Sequence, residues 1–287
     1  MAEYVIMTDS GSDINMDKLA EWGVVGSNLT FYFEDGVEHS NADCDISEFY
    51  KKMREGSVSK TSAVNIAIFR EMFEPALRAG KDLIYIGFSS GISTTSNSGI
   101  MAARELAEEY PERKIYAIDT KCASAGEGLM VYLAVKKKEE GATVEEVAQY
   151  VEETYPKIGH WFTVEDLVYL KRGGRISATA AFAGTALGIK PVLHVDDEGC
   201  LINMSKVRGR AQSIKAIAKK YTETAEDPEN GIYFISQADC MEDAKMLEEL
   251  IVKEHGNKCA LITDIGPVIG SHAGPGTLAL FFVAKGR

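Results

Sequence analysis

The sequence predicts an α/β fold in two domains, an N-terminal one on a parallel sheet and a C-terminal one on a mixed sheet. Three observations carry this. Short apolar runs alternate with stretches of helical period between residues 4 and 141, the pattern changes after about residue 160, and 287 residues with 45% hydrophobic content suffice for two packed cores.

In order, YVIMTDS (4–10) reads as a buried strand running into a polar loop. IAIFREMFEPALRAG (66–80) places apolar residues at helical spacing and stops at Gly80. DLIYIGFS (82–89) and KIYAIDT (114–120) are further strands, and TTSNSGIMAARELAEEYP (94–111) and GLMVYLAVKKKEEG (128–141) further helices. Strand and helix in alternation mean a parallel sheet covered on both faces, with its functional rim at the carboxyl ends of the strands. That rim is small and polar: Thr8-Asp9-Ser10, Ser89-Ser90 and Asp119-Thr120. Beyond it, HWFTVEDLVYLKRGGRIS (160–177), the small-residue segment ATAAFAGTALGIKPVL (178–193) and a hairpin around Asp196 to Gly199 imply a mixed sheet. The boundary is placed near Ile158 and Gly159, giving domains 1–159 and 160–287. KCALITDI (258–265) and TLALFFVAKG (277–286) read as strands, with IGPVIGSHAGPG (265–276) as a tightly shaped loop holding His272 among four glycines and two prolines.

A net charge of −12 argues against nucleic-acid binding as the main role. Charge is uneven, however: Lys171 to Arg210 holds seven basic residues against three acidic ones, a balance of +4 that suits an anion or an acidic partner. Cysteines 44, 122, 200, 240 and 259 are odd in number and lack metal-ligand spacing, which predicts reduced thiols, no structural metal and no disulfide framework. No signal-peptide pattern and no apolar run of membrane-spanning length is present, so the expected location is cytoplasmic.

Three polar stretches carry candidate chemistry. Gly87-Phe88-Ser89-Ser90-Gly91 spells G-x-S-x-G between strand and helix, the context of a hydrolase nucleophile elbow, and Asp264 and His272 follow in triad order. A serine hydrolase acting on acyl esters through Ser89 and His272 is therefore the rival reading, although no HGGG-type loop precedes the motif. Alternatively SSGISTTSNS (89–98) offers hydroxyls and helix N-terminal N–H groups to an anion. SKTSAV (59–64) precedes the helix starting near Asn65 and could simply cap it.

Taken together, TDSGSD (8–13), KTS (60–62), SSGIS (89–93), DTKCASAGEG (119–128), DLVYLKRGGRIS (166–177), GIKPVL (188–193), KVRGR (206–210) and GPVIGSHAGPG (266–276) resemble the DegV family in order and spacing over nearly the whole chain. The resemblance implies a non-catalytic, cofactor-free fatty-acid binding protein that holds one long acyl chain such as palmitate, its carboxylate near the domain interface. It also implies a bacterial partner, an ATP-using fatty acid kinase subunit that phosphorylates the carboxylate. By the same resemblance Thr61, Ser93 and His272 bind the carboxylate, with Ser62 as a secondary contact. Arg175, Lys206 and Arg208 are the basic residues expected to dock the partner. Two departures stand out: Ala63-Val64 follow Thr61-Ser62 where the family commonly has Gln-Pro, and Thr94 stands where it often has Gly. Ala178 to Gly188 are candidate walls for the acyl chain.

Overall fold

The computed structural model describes residues 3–41, 44–176 and 188–287. The walls expected from residues 178–187, and Ser177 of the GGRIS turn, lie outside the described residues.

The parallel sheet runs in the order β2 (Val24–Ser27), β1 (Tyr4–Asp9), β6 (Asp82–Phe88), β7 (Ile115–Cys122). Every residue of β6 is buried, as a central parallel strand covered on both faces requires. On one face α3 (Ile66–Arg78) and α4 (Thr95–Glu109) pack Phe69, Phe73 and Leu106 against Tyr85. The opposite face is covered by α5 (Ala125–Glu139) and α6 (Val144–Thr154). Helix α1 (Met16–Glu21) packs Leu19 onto the parallel sheet, and a three-stranded antiparallel sheet, β4 (Glu38–Ser40), β3 (Thr30–Tyr32), β5 (Lys60–Ser62), shares a small core with α2 (Ile46–Arg54). SKTSAV therefore contributes a strand as well as the approach to a helix.

From Ile158 onward the chain builds a six-stranded mixed sheet. Its order is β10 (Leu201–Arg208), β9 (Ile189–Val195), β8 (Ile158–Thr163), β13 (Leu278–Val283), β11 (Tyr233–Gln237), β12 (Leu261–Asp264). All neighbours are antiparallel except β11 and β12. The hairpin expected at Asp196 to Gly199 joins β9 to β10. A short helix, α7 (Val168–Arg172), leads into the Gly173-Gly174 turn. One face of this sheet packs on α8 (Arg210–Thr224) and α9 (Met241–His255). Its other face turns inward, where Phe162, Leu193, Phe234 and Phe281 share a core with Ile84, Ile86 and Leu129. Helix α5 is thus buried between the two sheets, which explains its apolar content on every side near its start.

One expectation is corrected. Residues 265–276 are not a loop throughout, because Pro267–Ala273 form a helix, α10. Pro267 opens it, where a missing N–H costs nothing, and Gly274 closes it at φ +82°.

Candidate ligand-binding site

A cavity of about 1330 Å³ lies between the carboxyl ends of β6 and β7 and the inner face of the mixed sheet. Its floor comes from Phe162, Val195, Leu201, Ala279 and Phe281, all apolar, and one end carries Thr61, Ser93, Arg175 and His272. Of the small polar rim anticipated from the sequence, Ser90 lines the cavity and Thr8, Asp9, Ser10, Ser89, Asp119 and Thr120 do not; Gly91 to Thr94, which follow Ser90, line it as well.

Thr61 sits on β5, opposite Phe31 of β3, and its hydroxyl lies 2.8 Å from Nε2 of His272. Helix α10 places that imidazole. Ser271, the preceding residue, bonds its hydroxyl to Ser59 Oγ at 2.7 Å, and the Tyr50 hydroxyl donates to the Ile265 carbonyl at 2.7 Å. A side chain at Gly173 would put its Cβ 2.4 Å from His272 Nδ1, so the turn after α7 closes on the ring only because that position is glycine. Burial, reinforced by the nearby Arg175 charge, lowers the His272 pKa to about 4. The imidazole is therefore neutral at pH 7. In either tautomer the Thr61–His272 pair uses one of its two protons internally and keeps one to donate.

Ser93 lies in the turn before α4; its hydroxyl donates to Thr95 Oγ1 at 3.0 Å and accepts from the Thr95 N–H at 3.2 Å. The first turn of α4 adds backbone N–H groups without helical partners. Ser62 does not line the cavity, whereas its neighbours Thr61 and Ala63 do, as strand alternation dictates.

The three basic residues divide. Arg175 is half-buried in the cavity wall, Nε donating to the Ile92 carbonyl at 3.1 Å, and burial lowers its pKa. The guanidinium stays charged. Lys206 and Arg208 are exposed on β10 opposite Pro191 and Ile189, on the face that carries Leu193 and Val195, and of the two Lys206 also lines the cavity. A bulge between Asn203 and Ser205 turns them there. Simple alternation along LINMSKVR puts them on the opposite face, a shift that no single-strand pattern reveals.

The triad required by the rival reading is not assembled. Ser89 is fully buried; its hydroxyl donates to the Gly199 carbonyl at 2.9 Å and accepts from the Gly91 N–H at 3.1 Å. Asp264 bonds to Gln237, and the hydrogen-bond partner of His272 is Thr61. Among the described residues no group of three or more metal-ligating side chains is present. None of the described helices is long and apolar enough to cross a membrane.

Sequence reasoning missed a buried polar seam beneath the cavity. Ser124, which lines the cavity, bonds to Asp13 and lies 2.9 Å from Ser236 Oγ. Glu127 accepts from Thr8 at 2.8 Å, and Asp9 from Tyr85 at 2.6 Å. Burial raises the pKa of all three carboxyls. Their signal was present, because TDSGSD and DTKCASAGEG concentrate carboxylates and hydroxyls at strand ends.

Fold and site together define an α/β protein of three sheets whose cavity has an apolar floor and, at one end, two hydroxyls and a neutral imidazole beside the charged Arg175. A family model described as "Uncharacterised protein, DegV family" matches residues 3–285, and the chain belongs to the DegV family. A DegV domain-containing protein of Clostridium perfringens strain 13 is 41% identical over 285 residues, 99% of this chain and 98% of the relative. A solved fatty-acid-binding DegV family protein from Thermus thermophilus is 29% identical with a TM-score of 0.88, covering 99% of this chain and 100% of that one. A stearic acid-binding protein from Eubacterium ventriosum is 25% identical with a TM-score of 0.88, covering 98% of each chain.

Proposed function

We propose that this protein binds one long-chain fatty acid, with the carboxylate at Thr61, Ser93 and His272 and the acyl chain along the apolar floor, and presents it to an ATP-dependent kinase. The observation that carries the reading is the cavity of about 1330 Å³ with hydroxyl and imidazole donors gathered at one end of an apolar wall. Burying the roughly 14 methylenes of a C16 chain at about 0.8 kcal/mol each yields about 11 kcal/mol. Association costs about 4–15 kcal/mol, so tight retention requires nearly complete burial of the tail. The carboxylate in turn requires donors, and neutral ones hold it without the bidentate arginine clamp that a phosphorylating partner would have to break. Arg175 supports this end of the cavity, while Lys206 and Arg208 face the partner. The protein itself performs no hydrolysis, in keeping with the commitment of the Ser89 hydroxyl to Gly199.

Denaturing extraction of purified protein followed by mass spectrometry tests the reading: about one long-chain acid per chain is expected, and none under several growth conditions would overturn it. Stoichiometric labelling of Ser89 by a fluorophosphonate would instead favour the hydrolase. Docking is tested separately with Arg208→Glu, which should leave bound acid unchanged while abolishing acyl-phosphate formation by the cognate kinase. Full turnover by that variant would remove the residue from the docking surface.

A further inference from the structure

The cavity floor contains a polar interruption that carboxylate binding does not use. A row of side chains crosses four strands of the mixed sheet in register: Ala279 opposite Phe162, Phe162 opposite Leu193, and Leu193 opposite Asn203. Directly opposed residues of antiparallel strands share a face, so the carboxamide of Asn203 ends an apolar stretch of three, Ala279, Phe162 and Leu193, whose far side meets Ser236 of β11. Leu201, opposite Val195, flanks it on the same face. Asn203 lines the cavity, and its Oδ1 is buried with no hydrogen-bond partner among the described residues.

A buried amide oxygen against hydrocarbon is costly, and an unsubstituted acyl chain lying on it offers no proton. The position is also locally distinctive. The bulge follows directly after Asn203, leaving Met204 half-exposed and pairing Ser205 with Val192, so Asn203 is the last residue of β10 before the strand changes phase, although Met204 and Ser205 also border the cavity. Beyond it the same face carries the cations Lys206 and Arg208.

We infer that Asn203 is a specificity-determining residue for acyl chains carrying an oxygen substituent, and that the preferred ligands of this cavity are hydroxylated long-chain fatty acids. A secondary hydroxyl both donates and accepts, so it pairs with the carboxamide through either of the amide's polar atoms. The rest of the chain keeps its apolar contacts with Phe162, Val195 and Ala279. The inference rests on the fatty-acid reading above and deepens it by naming the substrate class.

Delipidated protein is titrated with stearic acid and with 3-, 10- and 12-hydroxystearic acids, reading affinity by calorimetry. One of the hydroxylated acids should bind about three- to tenfold more tightly than stearic acid, the value of one net hydrogen bond. Asn203→Leu should abolish that preference while leaving stearic acid bound at least as tightly. Asn203→Ala provides the same comparison should the larger side chain prevent folding, with thermal melting as the check. Stearic acid binding without preference for any hydroxylated acid overturns this inference alone, as does a preference that survives both substitutions. Failure of every acid to bind overturns the fatty-acid reading and this inference with it.

Discussion

His272 sits in a ring of constraints that fix both its place and its charge. Its pKa, lowered to about 4 from an ordinary 6.5 by burial and by Arg175, means that the folded protein holds the neutral form more tightly than the unfolded chain does. The stability linked to this group is fully present above about pH 6.5 and is lost as pH falls through 4. NMR titration of the empty protein should accordingly show no imidazole step for His272 between pH 5.5 and 8. A step near 6.5 would mean that the ring is solvated and unlike the group described here. A carboxylate seated beside the ring favours the imidazolium, so the loaded protein should titrate at a higher pH than the empty one. Replacing Thr61, Ser93 or His272 by Ala should each weaken retention of the acid by about 1–3 kcal/mol, the cost of leaving a buried partner unpaired. Competition with a fluorescent acyl probe measures that loss, and unchanged affinity in all three variants would move the carboxylate elsewhere in the cavity.

At the scale of elements, the turn after α7 and helix α10 act as a pair. Gly173 has φ −70°, a backbone that alanine adopts freely, so Gly173→Ala on backbone grounds alone should stabilise by about 0.4–1 kcal/mol. Its Cβ would nevertheless lie 2.4 Å from His272 Nδ1. The variant should therefore melt close to the parent temperature while releasing fatty acid about tenfold more readily, and parental affinity with parental melting would show that the imidazole contact is dispensable. The central elements were legible from periodicity: strands expected at 4–10, 82–89 and 114–120 appear at Tyr4–Asp9, Asp82–Phe88 and Ile115–Cys122. Helices α3, α4 and α5 likewise fall within a few residues of their expected spans. Strands β3, β4 and β5 were not legible, because three-residue segments such as EHS and KTS bury too little to show alternation. Helix α10 was misread from its glycine content, although Pro267 at its start and Gly274 just past its end are the ordinary signals of a helix. The site residues Thr61, Ser93 and His272 came from motif resemblance; their convergence on one cavity depends on β5, the α4 turn and α10 meeting across some two hundred residues, which no local pattern encodes.

Across the whole molecule, the two sheets meet along a seam centred on Asp13, a non-glycine residue at φ 51°. Its backbone carbonyl accepts from Thr263 Oγ1 at 2.8 Å, and its carboxyl accepts from the Gly266 N–H at 2.8 Å and bonds to Ser124, which contacts Ser236. One residue of the N-terminal half thus holds β12, the start of α10 and, through Ser124, β11. Burial raises the Asp13 pKa to about 8, against the lowering effect of its Ser124 and Gly266 bonds, with the Asp264 charge adding to the rise. Because the folded pKa exceeds the ordinary 3.8, the folded state binds this proton more tightly than the unfolded chain. The resulting stability is fully present below about pH 3.8 and is lost as pH rises through 8. Ionisation then places a bare charge in the seam, near Asp264 and within reach of Glu127, whose own pKa burial also raises. Asp13→Asn keeps an oxygen for the Gly266 N–H and an N–H₂ group toward Ser124 while removing the titration. Relative to the parent, the variant should gain stability as pH rises from 5 toward 8, at a limiting slope of about 1.4 kcal/mol per pH unit for one proton. Urea unfolding at several pH values measures it: a difference between variant and parent that stays flat or narrows over that range would show that Asp13 is already ionised in the seam, and that the two halves are held by something other than a neutral carboxyl.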